Sequence, residues 1–349
     1  MTTEQTAINY EILDSAPRLL MEAKLKPLQG DRFQPTGFAD LGPARYTLPE
    51  GIEMVLVESV QSVANRMELA CWDLSKGDLI SELNGLPYIR VTMPNGQGTL
   101  TSSILEAHRI NSPYILEGQD KSVERLLKKD RADSEQGPVN IRELAKQLFK
   151  YDPNSVIHGV FLAKSELAEG RLRLTRLLGG FIEAHDVRPV ESGGAKNDHL
   201  NPRGDTSRGF GNVLFHRTEF VAREIKAFFN LDLALLRGYG LPPEATKLLI
   251  ALSLFKVRRF LSRGLRLRSA CDLGVVSDLL STSPTDFAVP SEDVLLSECK
   301  RLIDECGPHF ADPRVTEVVW NEKKQNRKGA KTSDSEDKMT DDGEEEEES

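Results

Sequence analysis

The apolar positions of this chain alternate between a period of two and a period near three and a half, and the switches mark out its elements. Residues 1–16 read as a frayed leader, and Pro17 to Leu28 (PRLLMEAKLKPL) alternates in part and predicts a first strand. The apolar run Met54-Val55-Leu56-Val57 predicts a second strand that runs into a helix starting near Gln61. In that helix Val63, Met67, Ala70 and Leu74 repeat at i, i+4, i+7 and i+11, a stripe for the core. Tyr88 to Val91 predicts a short strand, Ser103 to Ser112 a helix stopped by Pro113, and Ile141 to Tyr151 an amphipathic helix. Val156 to Ala163 and Leu172 to Ile182 predict a hairpin turning at Glu169-Gly170, with Arg171 and Arg173 on one sheet face and Leu172 and Leu174 on the other.

Two polar stretches interrupt this order. Glu117 to Pro138 is charged and reads as an exposed excursion, and residues 184–212 are too rich in glycine, proline and charge to pack, so they read as a mobile finger or thumb. Order resumes at Val213 to Phe229, and Pro242-Pro243-Glu244 starts a helix running to about Arg263. There Val257, Phe260 and Leu261 form an apolar face, while Lys256, Arg259 and Arg263 form a separate cationic one. Leu265 to Arg268 then returns to period two, a strand with Arg266 and Arg268 on one face. Six basic residues and no acid lie between Lys256 and Arg268, which favours a groove for a polyanion over an ordinary solvated face.

Three segments carry candidate chemistry. On the helix after Val57, Ser62, Asn65 and Arg66 share a face beside a helix start, where free N–H groups and the positive dipole end suit a phosphate. Taken alone, the segment fits a capped surface helix with one solvated arginine equally well. The loop from Gln29 to Leu48 holds Gly30, Gly37 and Gly42 with the donors Arg32, Gln34 and Arg45, and its length fits a binding loop or a surface connection. His108 and Arg109 close the third segment as a weak sign of RNA contact.

Composition bounds the class. The 349 residues, 39% hydrophobic and 28% charged, are ordinary for a globular protein of one large or two closely packed domains. The net charge of -9 opposes a nucleic-acid binder until it is placed: residues 321–349 hold 11 acids and 6 bases, and the rest is nearly balanced. Local rather than summed charge governs polyanion binding. Cys71, Cys271, Cys299 and Cys306, with no secretory leader pattern, lead us to expect a reduced cytoplasmic setting, and no apolar run approaches the ~20 residues of a membrane span.

Taken together, the segments GDRFQPTGFADLG, VLVESVQSVANRMELACWD, EAHRINSPYI, FHRTEFVAREIKAFFNLDL, LRGYGL and LLIALSLFKVRRFLSRGLRLRSACDL resemble, in this order, the Csb-one family. These are backbone subunits, of the Cas-seven type, in CRISPR effector complexes of type I-G, formerly I-U. The resemblance spans about Pro17 to Trp320 and leaves out the charged tail of residues 321–349, which is expected to be disordered. It implies an α+β fold of the RAMP superfamily: a modified RRM-like, ferredoxin-like antiparallel sheet palm with helical finger and thumb insertions. Residues 184–212 are then the candidate thumb, with 117–138 as the alternative. It further implies copies of the chain polymerising along the spacer of a CRISPR guide RNA, which the thumbs kink at intervals while the bases between stay free for a target DNA strand. A protein serving variable spacers must hold phosphate and shape and leave sequence to base pairing. Implied RNA-binding residues are Arg32, Gln34, Ser62, Asn65, Arg66, His108, Arg109, Lys256, Arg259, Arg266 and Arg268. Implied partners are subunits that cap the guide 5′ end and process the guide, a large subunit, and a transient helicase-nuclease, with no membrane.

The rival expectation is a RAMP-type endoribonuclease that processes the guide precursor. Of the six histidines, His216 with Arg217 and Glu219 is the best placed for acid/base work, yet none sits in a catalytic pattern. The spacing of Cys299 and Cys306 does not suit a metal, and no nucleotide-binding glycine motif follows a strand. A noncatalytic RNA-binding subunit without cofactor or metal is the expectation.

Overall fold

The structure, a computed structural model, describes residues 7–38, 41–96, 98–129, 139–164, 167 and 172–321. The first strand forms where alternation predicts it, at Arg18–Pro27, with Leu19, Met21, Ala23 and Leu25 buried and Arg18 and Lys24 exposed. It lies inside an eight-stranded antiparallel sheet. From one edge the order is Arg266–Arg268, Cys271–Val275, Arg18–Pro27, Val213–Asp232, Leu178–Lys196, Glu53–Glu58 and Arg45–Thr47, with Leu280–Ser283 also pairing with the first strand. A helix, Val60–Leu69, falls in the chain between the first strand and Leu178–Lys196, and a long one, Pro243–Arg263, between Val213–Asp232 and Cys271–Val275. Phe260 of the long helix meets Phe229 of the sheet edge to face, ring centroids 6.3 Å apart.

The two central strands outgrow the sheet. Leu178–Lys196 and Val213–Asp232 pair in one unbroken register from Leu178↔Leu231 to Lys196↔Val213, and their far halves are almost wholly exposed. Residues 184–196 of the segment expected to be too polar to pack are therefore one strand of a two-stranded ribbon, whose polar side chains stay in water while its backbone groups pair with Val213 to Ile225. Asp186 adopts a positive φ of 52° within it.

Several expectations are corrected. Residues 7–16 are not frayed: Tyr10–Ser15 is helical and buries Leu13, with Ile8 beside it in the core. The helix over Val60–Leu69 stops before the stripe ends, so Val63 and Met67 are buried but Leu74 is exposed. Ser103 to Ser112 is a chain of turns with a short 3-10 stretch at Arg109–Asn111, because Ser102 and Glu106 take up local backbone and hydroxyl donors. Val156 to His158 belongs to a short helix, Pro153–His158, and only Val160–Leu162 pairs with Leu172–Leu174, keeping Leu172 and Leu174 buried and Arg173 exposed. Glu169, Gly170 and Arg171, residues 130–138 and residues 322–349 lie outside the described residues. Ile141–Tyr151 and Pro243–Arg263 form as predicted. Among the described residues no helix is long and apolar enough to cross a membrane, and all four cysteines are buried free thiols.

Candidate nucleic-acid interface

The glycine-rich loop is held against the sheet by its own backbone. Phe33 and Phe220, at the root of the ribbon, exchange two hydrogen bonds of 2.9 Å, Gln34 N–H donates to Ala270 O at 2.8 Å, and Thr36 N–H to Val57 O at 3.0 Å. Phe33 is fully buried, which anchors Arg32 and Gln34 on either side of it. Where the loop doubles back, a Cβ on Gly37 would lie 2.7 Å from Gly42 O, so only glycine fits.

Two buried carboxylates organise the charge, and each serves two arginines. Glu219, on the ribbon, sits 3.4 Å from Arg32 Nη1 and 2.6 Å from Arg217 Nη2. Glu58, at the end of its strand and 2% exposed, pairs with Arg268 Nη2 and lies 3.7 Å from Arg66 Nη2. Each glutamate thus meets two guanidinium groups, which leaves one positive charge over in each group; Arg32 and Arg217 reach solvent, and Asp31 and Asp272 line the same concavity as they do. In the sequence Arg217 stands out only as a neighbour of His216, the histidine best placed for acid/base work, and its pairing with Glu219 beside Arg32 is not foreseen. The signal was its i, i+2 spacing from Glu219, which puts both on one face of a strand.

Arg32, Arg217, Glu219 and Arg268 line three neighbouring concavities, whereas Glu58 and Arg66 lie outside their walls. One of about 690 Å³ is bordered by Arg258, Arg263 and Arg266 with Asp272, Asp278 and Glu292; one of about 530 Å³ shares Arg266 and Asp272 with it and adds Arg32, Arg217, Glu219 and Asp31; one of about 460 Å³ shares Arg217, adds Gln34, Gly37, Gly42 and Arg268, and has no acid in its wall among the described residues. The trough thus passes from the sheet edge to the ribbon root. Arg263 and Arg266 are exposed and make no ion pair among the described residues.

The remaining predicted residues scatter. Asn65 is exposed and Ser62 half-buried on the helix beside the trough, where the Ser59 hydroxyl caps the Ser62 N–H at 3.3 Å, so neither lines these three concavities. Arg66 donates to the carbonyls of Arg266 and Leu267 at 3.4 and 2.5 Å. Arg259 is spent on Ala70 O at 2.7 Å and Glu292 at 2.9 Å. His108 is exposed, but Arg109 turns inward at a positive φ of 53° and is buried against Glu68.

Lys256 corrects the expected cationic stripe most plainly. It is 3% exposed, pairs with Asn154, and its Nζ lies 3.1 Å from His158 Nε2. Burial pushes the Lys256 amine down, and burial with nearby cations holds His158 far below its ordinary value. Asp152, also fully buried, is raised to about 6, mainly by desolvation. Period counting placed Lys256 beside Arg259, but on a helix buried over most of its circumference that face meets the Pro153–His158 helix instead of water.

The other histidines are dispersed. His216 pairs with Glu191 across the exposed ribbon, and His309 Nε2 lies 2.7 Å from Glu244 and borders a separate cavity of about 360 Å³ with Lys146 and Gln147. Among the described residues no three histidine, cysteine or carboxylate side chains are placed to hold a metal.

Residues 19–189 match the family model described as CRISPR-associated protein GSU0053. This match covers just under half of the chain. It takes in the first strand, the loop of Arg32 and Gln34, the helix of Asn65 and Arg66, and the outgoing ribbon strand as far as Pro189; Arg217, Arg266 and Arg268 lie beyond it. No curated protein matches the sequence. Among solved structures, a chain from a CRISPR RNA-guided surveillance complex in a pre-nicking state is similar at 14% identity, over 74% of this chain and 74% of that one, with a TM-score of 0.40. Csc2 of Thermofilum pendens is similar at 9% identity, over 86% of this chain and 78% of that one, with a TM-score of 0.31.

Proposed function

We propose that this chain is a noncatalytic, cytoplasmic backbone subunit of a type I-G CRISPR interference complex that binds guide RNA through phosphate and shape. The observation that carries the reading is the trough of neighbouring concavities, walled by Arg32 and Arg217 on their shared Glu219, by Arg263 and Arg266, and by Arg268, whose partner Glu58 lies behind the wall. The family match to a CRISPR-associated protein supports the setting. The order of four sheet strands supports an RRM-like palm: in chain order the first (Arg18–Pro27) lies between the fourth (Cys271–Val275) and the third (Val213–Asp232), and the second (Leu178–Lys196) lies outside the third.

On this reading Arg32, Gln34, Arg217, Arg263 and Arg266 hold the guide backbone, with Asn65 on the helix beside it. Such contacts fix position and carry no sequence information, which suits a guide whose spacer varies. The ribbon is the thumb that folds over the guide, and copies of the chain repeat the arrangement along the spacer. A target DNA strand pairs with the free bases, and subunits that cap and process the guide, a large subunit and a transient helicase-nuclease complete the assembly.

The test is co-purification with a CRISPR transcript followed by nuclease footprinting. Protection at regular intervals is the expected result. Loss of discrete processed RNA on His216→Ala would transfer the assignment to a guide-processing nuclease.

A further inference from the structure

We infer that Glu58 is the positioning residue of this interface: buried and touching no RNA, it orients Arg66 and Arg268 so that they clamp the backbone segments carrying the RNA-binding donors. The inference rests on the function proposed above.

The wiring is explicit. Arg268, whose Nη2 is paired with Glu58, uses Nη1 to donate to Gln34 O at 2.7 Å and Val57 O at 3.2 Å. Arg66, on the other side of Glu58, donates to the carbonyls of Arg266 and Leu267. One carboxylate therefore ties together the glycine-rich loop, the end of its own strand, the helix and the edge strand. Two of the four carbonyls gripped belong to Gln34 and Arg266, which line the trough.

The local backbone is shaped for this contact. Pairing slips by one residue beside Glu58, between Ile182↔Glu58 and Glu183↔Leu56, and again between Arg266↔Asp272 and Arg268↔Cys271. Such bulges re-aim a side chain relative to strict alternation, and here they sit under both partners of the Glu58–Arg268 pair. A planar guanidinium fork suits bonding two acceptors in fixed directions, which a lysine cannot reproduce.

The role has an unusual sign. Glu58→Gln makes the chain one unit more positive, so electrostatics alone predicts tighter RNA binding. Positioning predicts weaker binding, by about tenfold, the loss expected when a charge-assisted hydrogen bond is removed. The experiment measures binding of fluorescent single-stranded oligouridine over a range of salt, with each variant confirmed folded by its thermal transition. Glu58→Gln and the charge-conserving Arg268→Lys are both expected to weaken binding with an unchanged slope of log affinity against log salt. Wild-type affinity or tighter in folded Glu58→Gln overturns the inference, as does wild-type affinity in Arg268→Lys should the first variant not fold. Wild-type protein that binds no RNA removes the proposed function itself, and the positioning role with it.

Discussion

Arg109 grips Glu68 through two parallel hydrogen bonds, Nε to Oε1 at 2.6 Å and Nη2 to Oε2 at 2.8 Å, inside the protein. Asn154 donates to the same carboxylate, and Arg109 also reaches Gly159 O at 3.4 Å. Glu68 lies on the helix that carries Asn65 and Arg66, so this contact fixes how that helix sits on the fold. Arg109→Ala would leave a buried carboxylate without its cation. The expected cost is about 3–5 kcal/mol of unfolding free energy. Chemical denaturation measures it, and a loss below about 1 kcal/mol would show the pair to be dispensable.

Arg32 and Arg266, exposed on the trough, should each remove one phosphate contact when changed to alanine. RNA affinity is expected to fall, and the slope of log affinity against log salt to shrink by about 0.7 per arginine on a single strand. Arg259→Ala, which breaks contacts to Ala70 and Glu292, should lower the thermal midpoint and leave that slope alone. A slope change for Arg259→Ala would put this residue back on the RNA path.

Asp152 and His158 give opposite pH signatures. The carboxyl of Asp152 is held at about 6 in the fold by burial, above its unfolded value near 3.9, so between those limits the native state binds more protons than the unfolded one. Its contribution to stability therefore improves as pH falls from about 7 to 4 and is lost as pH rises through about 6. His158 stays neutral in the fold while the unfolded imidazole takes up a proton below about 6.5, so its contribution falls as the solution is acidified. Relative to wild type, Asp152→Asn should gain at pH 7 and lose that advantage by pH 4. Urea midpoints across this range decide the point, and a pH-independent difference would contradict the assignment.

The ribbon should be separable from the palm. Replacing residues 193–216 with a two-residue Asn-Gly turn joins Ser192 to Arg217, which already face each other in register. The excised part is exposed, so the thermal midpoint should hold, whereas spaced protection of bound RNA should vanish. Intact footprints would free the ribbon of any role as a thumb.

The sequence was readable where burial has a simple period. Leu19, Met21, Ala23 and Leu25 announced their strand, and Pro242-Pro243 announced the long helix. Failure came where tertiary contact decides. Lys256 and Arg109 look like surface cations, and only the buried partners Asn154 and Glu68, about a hundred and about forty residues away in the chain, show otherwise. The ribbon was illegible for another reason: a two-stranded hairpin buries little, so its residues carry no apolar stripe to betray it. The candidate site lay between these cases. Arg32, Gln34, Arg266 and Arg268 could be nominated from the loop and the basic run, but the shared glutamates that organise them come from distant strands.

Asp186 holds a left-handed backbone in the middle of a strand, which costs a residue with a side chain roughly 1–2 kcal/mol. Asp186→Gly should remove that strain and leave stability unchanged or improved, while Asp186→Val should lower it by at least about 1 kcal/mol. Equal midpoints for glycine and valine would mean that the strand relaxes at this position.

Because pairing continues on both sides of Asp186 without slipping, the two strands behave as a single beam. From Pro189 to Lys196 this beam projects about 25 Å, at ~3.3 Å per residue. Its inner end is joined to the glycine-rich loop through the two hydrogen bonds between Phe33 and Phe220. A tilt of the beam would therefore reach the backbone that carries Arg32 and Gln34 first, and on the proposed function that is where a tilt would alter the hold on the guide.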